Sequence, residues 1–161
     1  MKTELISQAY ANAKERYAAL GLDTEAALDA LQKIEISMHC WQTDDGVGFE
    51  PKAGALSGGI QTTGNYPGRA RNIDEVRADL EKVMSLLPGK QRINLHEIYG
   101  DFGNTFVDRD QVGIEHFKSW MEWADEQKVN LDFNSSSFSH PKSGNNSLSS
   151  PDEGIRQFWI E

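Results

Sequence analysis

Three short segments place hydrogen-bonding side chains two residues apart: Ser37/His39/Trp41, Asn94/His96 and Asp132/Asn134. On a β-strand this spacing puts the members of each set on one face, because successive side chains alternate between faces. An imidazole at a strand's C-terminal end can donate to a substrate hydroxyl or move a proton near neutral pH, which makes His96 a candidate site residue. His39 and Trp41 would share a pocket, with the indole as an apolar wall for a sugar ring; core packing around a hydrogen-bonded histidine is the competing reading. Asp132 and Asn134 could ligate a metal or bind hydroxyls, but hydrogen bonding across a polar layer also accounts for them. Cys40 falls on the face opposite His39 and reads as structural, since the two cannot form a shared ligand pair without a bulge. Glu97 turns away from His96, toward helix or solvent. His140-Pro141 lies in a loop beyond the third segment, where a histidine is either at a site or simply solvated.

Between the first two segments, residues 42–71 form a glycine-rich stretch that includes Gly58-Gly59-Ile60-Gln61-Thr62-Thr63-Gly64-Asn65-Tyr66-Pro67-Gly68. Connections this long are usually functional. The run has neither a G-K-[ST] ending nor a G-x-G-x-x-G pattern, so a phosphate cradle is not indicated. It could act as a lid that carries Tyr66 or Phe49 over a site, or it could be a plain flexible loop. No serine-triad elbow motif is present.

The elements that must position these residues can be read from periodicity. Ile6, Ala9, Ala13, Tyr17 and Leu20 make an apolar stripe on a first helix, which Gly21 stops. Asp23 caps a second helix with Leu28 and Leu31 as its core face. Strands are expected at residues 36–41, 92–98 and 129–134. Asn72 and Glu75 form a capping box before a helix carrying Val76, Leu80, Val83, Met84 and Leu87. The next helix turns Ile114, Phe117, Trp120, Met121 and Ala124 inward. Ser150-Pro151 with Glu153 opens a last helix bearing Ile155, Phe158 and Trp159.

Strand, loop and helix repeat in that order, which predicts parallel strands joined by helical crossovers. Aliphatic residues on one strand face and polar ones on the other suit a (β/α)8 barrel, whose inner face carries the site at the C-terminal strand ends. A small three-layer α/β domain with satisfied polar core groups is the alternative. A complete barrel needs about 250 residues, and only three strands are found. The expected architecture is therefore α/β: a partial (β/α)8 (TIM) barrel comprising the first three parallel strands with their helices, preceded by two N-terminal helices. Residues 1–161 would be a single incomplete barrel domain, an N-terminal fragment, with residues 1–33 as helices and 34–161 as βα units. The uncapped helix at the end of the sequence points the same way.

Composition narrows the partners. The 161 residues carry 25 acidic and 16 basic side chains, a net charge of −9, which repels phosphate backbones and anionic membranes. No apolar run approaches the roughly 20 residues of a bilayer span. One cysteine excludes an intrachain disulfide, and no Cys cluster suggests structural zinc. The N-terminus lacks the features of a signal peptide, so a reducing, cytoplasmic setting is the expectation, in which the two Asn-x-Ser sequons carry no meaning.

Longer strings are more specific. Ser37-Met38-His39-Cys40-Trp41-Gln42, the glycine-rich run at 58–68, Asn94-Leu95-His96, Leu131-Asp132-Phe133-Asn134 with Phe138-Ser139-His140-Pro141, and Ile155-Arg156-Gln157-Phe158-Trp159-Ile160 resemble L-rhamnose isomerase. The similarity spans nearly the whole chain, in the same order. The resemblance implies a xylose-isomerase-like barrel, a cytoplasmic homotetramer, and interconversion of L-rhamnose and L-rhamnulose by a metal-assisted hydride shift. It also implies manganese (Mn2+) or other divalent cations, held by carboxylates and histidines on later strands, so no metal ligand is assigned to this chain. On this reading His96, Trp41 and His39 line the sugar site, while the loop bearing Tyr66 and Phe49 covers it and reaches a neighbouring subunit. The chain alone is expected to be inactive. Another divalent-metal sugar isomerase or epimerase, or a non-catalytic carbohydrate-binding α/β domain, are the alternative readings.

Overall fold

Alternation of aliphatic and polar residues produces strands with two chemically distinct faces, and the helices cover only one of them. The computed structural model describes residues 2–44, 46–50, 68–135, 137, 140–144 and 146–161. Among these, β1 (Ile36–His39), β2 (Gln91–His96) and β3 (Asn130–Asn134) form one open parallel sheet in sequence order. Helices α1 (Thr3–Ala18) and α2 (Thr24–Leu31) precede β1. Helix α3 (Ile73–Met84) lies between β1 and β2, α4 (Lys118–Gln127) between β2 and β3, and α5 (Glu153–Ile160) follows β3. The α/β class, the parallel pairing and the intervening helices agree with the sequence reading.

Ile93 and Leu95 on β2 are almost fully buried beneath Val76 and Leu80 of α3 and Trp120, Trp123 and Ala124 of α4. The indoles also tie elements together. Trp120 Nε1 donates to the Tyr99 carbonyl at 2.8 Å, and Trp123 Nε1 donates to Glu81 on α3 at 2.7 Å. Cys40 belongs to this core, opposite His39 as expected, and burial pushes its thiol pKa up to about 12.

Several local expectations shift. The first two strands are shorter than read, because Cys40–Gln42 and Glu97–Tyr99 wind into 3-10 turns at the strand exits. The third begins at Asn130; Val129 N–H instead bonds Ala124 O and closes α4, with Lys128 left-handed at φ 58°. On α4, Trp123 is buried while Met121 is exposed, as is Ile114 in the turn before it. The preceding turn Ile114–Phe117 is 3-10, and its tighter winding changes the phase of the buried face. Leu28 and Leu31 are not core residues among the described ones, since neither α1 nor α2 has a buried residue. Their periodicity is legible, but among the described residues both side chains stay exposed, at 44% and 53%. Helix α5 is capped by Asp152, which accepts from Ile155 N–H, rather than by Ser150. Asn72 caps α3 as expected by accepting from Glu75 N–H, while the Glu75 carboxylate reaches Arg71 N–H, one residue earlier than a capping box requires.

The other face of the sheet is polar. Register places Ser37, Arg92 and Asn130 in one row and His39, Asn94 and Asp132 in the next. Asp132 reaches down a row, accepting from Arg92 at 2.7 Å and from Ser37 Oγ at 2.7 Å. Arg92 also pairs with Glu35 at 2.9 Å, and Asn130 donates to the same carboxylate. Arg92 is the main cause that holds both carboxyls below their ordinary pKa, aided by Ser37 at Asp132 and by Asn130 at Glu35.

Two measurements check this architecture. Leu95→Ala should cost about 2–5 kcal/mol by creating a cavity under α3 and α4, read from urea unfolding. The Arg92 network should make stability acid-sensitive. Both folded carboxyl pKa values are lowered, so the unfolded chain takes up protons first, and stability present near neutrality is lost as pH falls below about 4. Arg92→Met should flatten that acid limb of the urea midpoint, and an unchanged limb would contradict the network.

Candidate active site

The strand-exit turns bring three rings together at one end of the sheet. His39 closes β1, and Trp41 follows in the 3-10 turn, so the strand alternation no longer applies to it. Its indole nevertheless lies on the histidine side, stacked on His96 with ring centroids 4.3 Å apart and planes at 29°. His39 is 4.9 Å from Trp41 and 5.9 Å from His96, again between ring centroids. The three residues singled out from sequence thus converge.

Their environment is suited to binding neutral polar groups. His96 is 1% exposed. Burial lowers its pKa, and the neighbouring His39 lowers it further, so the imidazole is held neutral to more acidic pH than usual. A neutral imidazole offers one donor and one acceptor. Beside it, His39 Nδ1 and Asn94 Oδ1 are buried atoms with no hydrogen-bond partner among the described residues. Asn94 pairs in register with His39, so these two groups sit side by side under the rings.

Other candidates go elsewhere. Asp132 shares the polar face but is engaged by Arg92 and Ser37, which matches the structural reading of it. Phe49 packs edge-on against Tyr99 at 5.6 Å, with its N–H on the Ile98 carbonyl. Tyr66 and most of the glycine-rich run lie outside the described residues. Glu97 lies 3.7 Å from Arg109 of the 3-10 turn Arg109–Gln111, which also binds Glu50 at 3.0 Å. His140 Nδ1 accepts from Lys142 N–H, so its Nε2 carries the proton and donates to Asp108 at 2.9 Å. Its ring stacks on Phe158 of α5, so His140 pins loops and helix rather than joining β1.

Sequence reasoning missed two buried charged residues, Asp44 and Arg109, 1% and 8% exposed. The signal for Asp44 was present: glycines two and four residues later mark backbone N–H groups free to turn back onto a carboxylate. Arg109 had no local signal, since its partners are distant in sequence. Among the described residues, no group of three or more His, Cys, Asp or Glu side chains is arranged to hold a metal ion. No described helix is long and apolar enough to cross a membrane.

Comparison with known proteins identifies the lineage. The family model for L-rhamnose isomerase (RhaA) matches residues 4–161. The L-rhamnose isomerase of Bacteroides thetaiotaomicron is 67% identical over 160 residues, covering 99% of this chain. Those of Shigella flexneri and Escherichia coli are 56% and 55% identical over the same span. In each case the chain spans about 38% of the relative's length. With nearly every residue inside the match, the chain belongs to the L-rhamnose isomerase family.

Proposed function

We propose that this chain contributes one wall of the sugar site in an aldose–ketose isomerase that interconverts L-rhamnose and L-rhamnulose. The observation that carries the reading is the convergence of Trp41, His39 and His96 at the exits of adjacent parallel strands, in a chain 67% identical to a named L-rhamnose isomerase. The three strands are read as one arc of a (β/α)8 barrel. Their polar face would be the lining and their aliphatic face the seat of the helices. Residues 34–161 would be βα units of that single domain, with 1–33 as the helices before it.

Each residue has a physical role in this reading. The Trp41 indole offers an apolar wall for the C–H face of a deoxy sugar. His96, kept neutral by burial, can both donate to and accept from sugar hydroxyls without the cost of bringing a charge into the pocket. His39 and Asn94 supply further polar atoms beneath it. Stacking on Trp41 restricts the His96 ring, which limits the entropy lost when a hydroxyl is bound. Phe49 and Tyr66 are proposed as part of the loop that covers the site.

A divalent cation, with manganese as the proposed one, supplies Lewis acidity and a template for the sugar oxygens when bound. The described residues do not fit such a site, so its ligands are assigned to none of them. Family resemblance also supports a cytoplasmic homotetramer. A carbohydrate-binding domain without catalysis has only the same three rings in its favour, whereas the family match favours the isomerase.

The test uses an intact isomerase carrying this segment, assayed with a divalent cation on L-rhamnose, with L-fucose and xylose as controls. His96→Asn should lower kcat/KM for L-rhamnose by about tenfold to a hundredfold, the size of one or two lost hydrogen bonds. Trp41→Ala should weaken sugar binding and raise KM. Unchanged kinetics in both variants, with folding intact, would remove this wall from the site.

A further inference from the structure

The ring stack depends on how two exit turns are held, and one buried carboxylate lies between them. Asp44 follows Trp41 by three residues, and Tyr99 follows His96 by three. The Tyr99 hydroxyl donates to Asp44 Oδ1 at 2.5 Å. Gly46 N–H donates to the same oxygen at 3.0 Å, and Gly48 N–H to Oδ2 at 2.8 Å. Gly46 N–H also reaches the Trp41 carbonyl at 3.0 Å, so the carboxylate is bonded to the same amide that holds Trp41's own backbone.

The surroundings leave this arrangement little freedom. Gly46 and Gly48 both have positive φ, at 73° and 67°. A Cβ on Gly48 would stand 2.6 Å from the Ile98 carbonyl oxygen. That carbonyl accepts from both Phe49 and Glu50 N–H, so the root of the loop lies directly on the β2 exit. Tyr99 is fully buried, and its own carbonyl accepts from Trp120. The Asp44–Tyr99 contact therefore connects the exit of β1 to a residue anchored in the core.

We propose that Asp44 is a positioning residue. By bonding Tyr99 and the turn glycines, it clamps the exits of β1 and β2 side by side and so holds Trp41 against His96. Burial raises the carboxyl's pKa above its ordinary value, and the three donors, Tyr99 foremost, offset part of that rise. A role in positioning rests on the reading of Trp41 and His96 as site residues; the clamp itself does not.

The experiment separates those two statements. In an intact isomerase carrying this segment, Tyr99→Phe removes one donor and keeps the ring that packs on Phe49. Asp44→Asn keeps the shape but offers one acceptor oxygen where two are used. Crystal structures of both variants report the Trp41–His96 ring separation, and steady-state kinetics report kcat and KM. The expected result is a stack that opens beyond 4.3 Å in both. Tyr99→Phe should lower kcat about threefold to tenfold with KM changed less, the worth of one hydrogen bond. The double variant should be no worse than Asp44→Asn alone, because both changes break one clamp. A stack that stays closed in both variants overturns the proposal. An opened stack with unchanged kcat leaves the clamp standing and sinks the site reading instead. If Asp44→Asn fails to fold, Tyr99→Phe still decides the matter.

Discussion

In-register parallel pairing is the constraint on which the other features rest. Once Ser37, Arg92 and Asn130 share a row and His39, Asn94 and Asp132 share the next, every odd and even position along the strands is committed to a face. Ile93 and Leu95 must then be covered, and α3 and α4 cover them. The polar rows cannot be covered by helices without stranding charged groups, so Ser37, Arg92, Asp132 and Glu35 are paired with one another. A slip of one residue would bury Arg92 under Trp120 and turn Leu95 toward the histidines.

Proximity among the three rings comes from a change of winding, not from the strands alone. Continuing β1 as a strand would have carried Trp41 straight past the sheet. The 3-10 turn folds the chain back after His39, and the indole comes to rest on His96. Two similar turns stand at neighbouring exits, each beginning at the end of a strand. The lower rows then have a supporting part: Arg92 holds both Asp132 and Glu35, which ties the two carboxylates to one cation beneath the rings.

What was legible in the sequence followed from local rules. Alternation located the strands and separated Cys40 from His39; capping chemistry located the start of α3. Where the reading failed, the deciding partner was far away in the chain. Trp123 is buried because a 3-10 turn rotates α4, and periodicity alone does not reveal that. Leu28 and Leu31 have the spacing of a core face, but burial depends on what lies opposite. Glu97 was judged by the face it should take, yet Arg109, arriving from a distant loop, drew it into an ion pair. The candidate site was more legible than the packing because its residues lie at or just past the ends of strands. Their support by Asp44 and Tyr99, 55 residues apart, was not.

Cys40 gives the molecule a silent thiol. It opens the 3-10 turn directly after His39 but faces the core, with its ionisation pushed out of the physiological range. Alkylating reagents attack thiolates, so modification must wait until β1 leaves its seat. The rate at which Cys40 is labelled is therefore a clock for the opening of the strand exit that carries two of the three rings, and it requires no engineered probe.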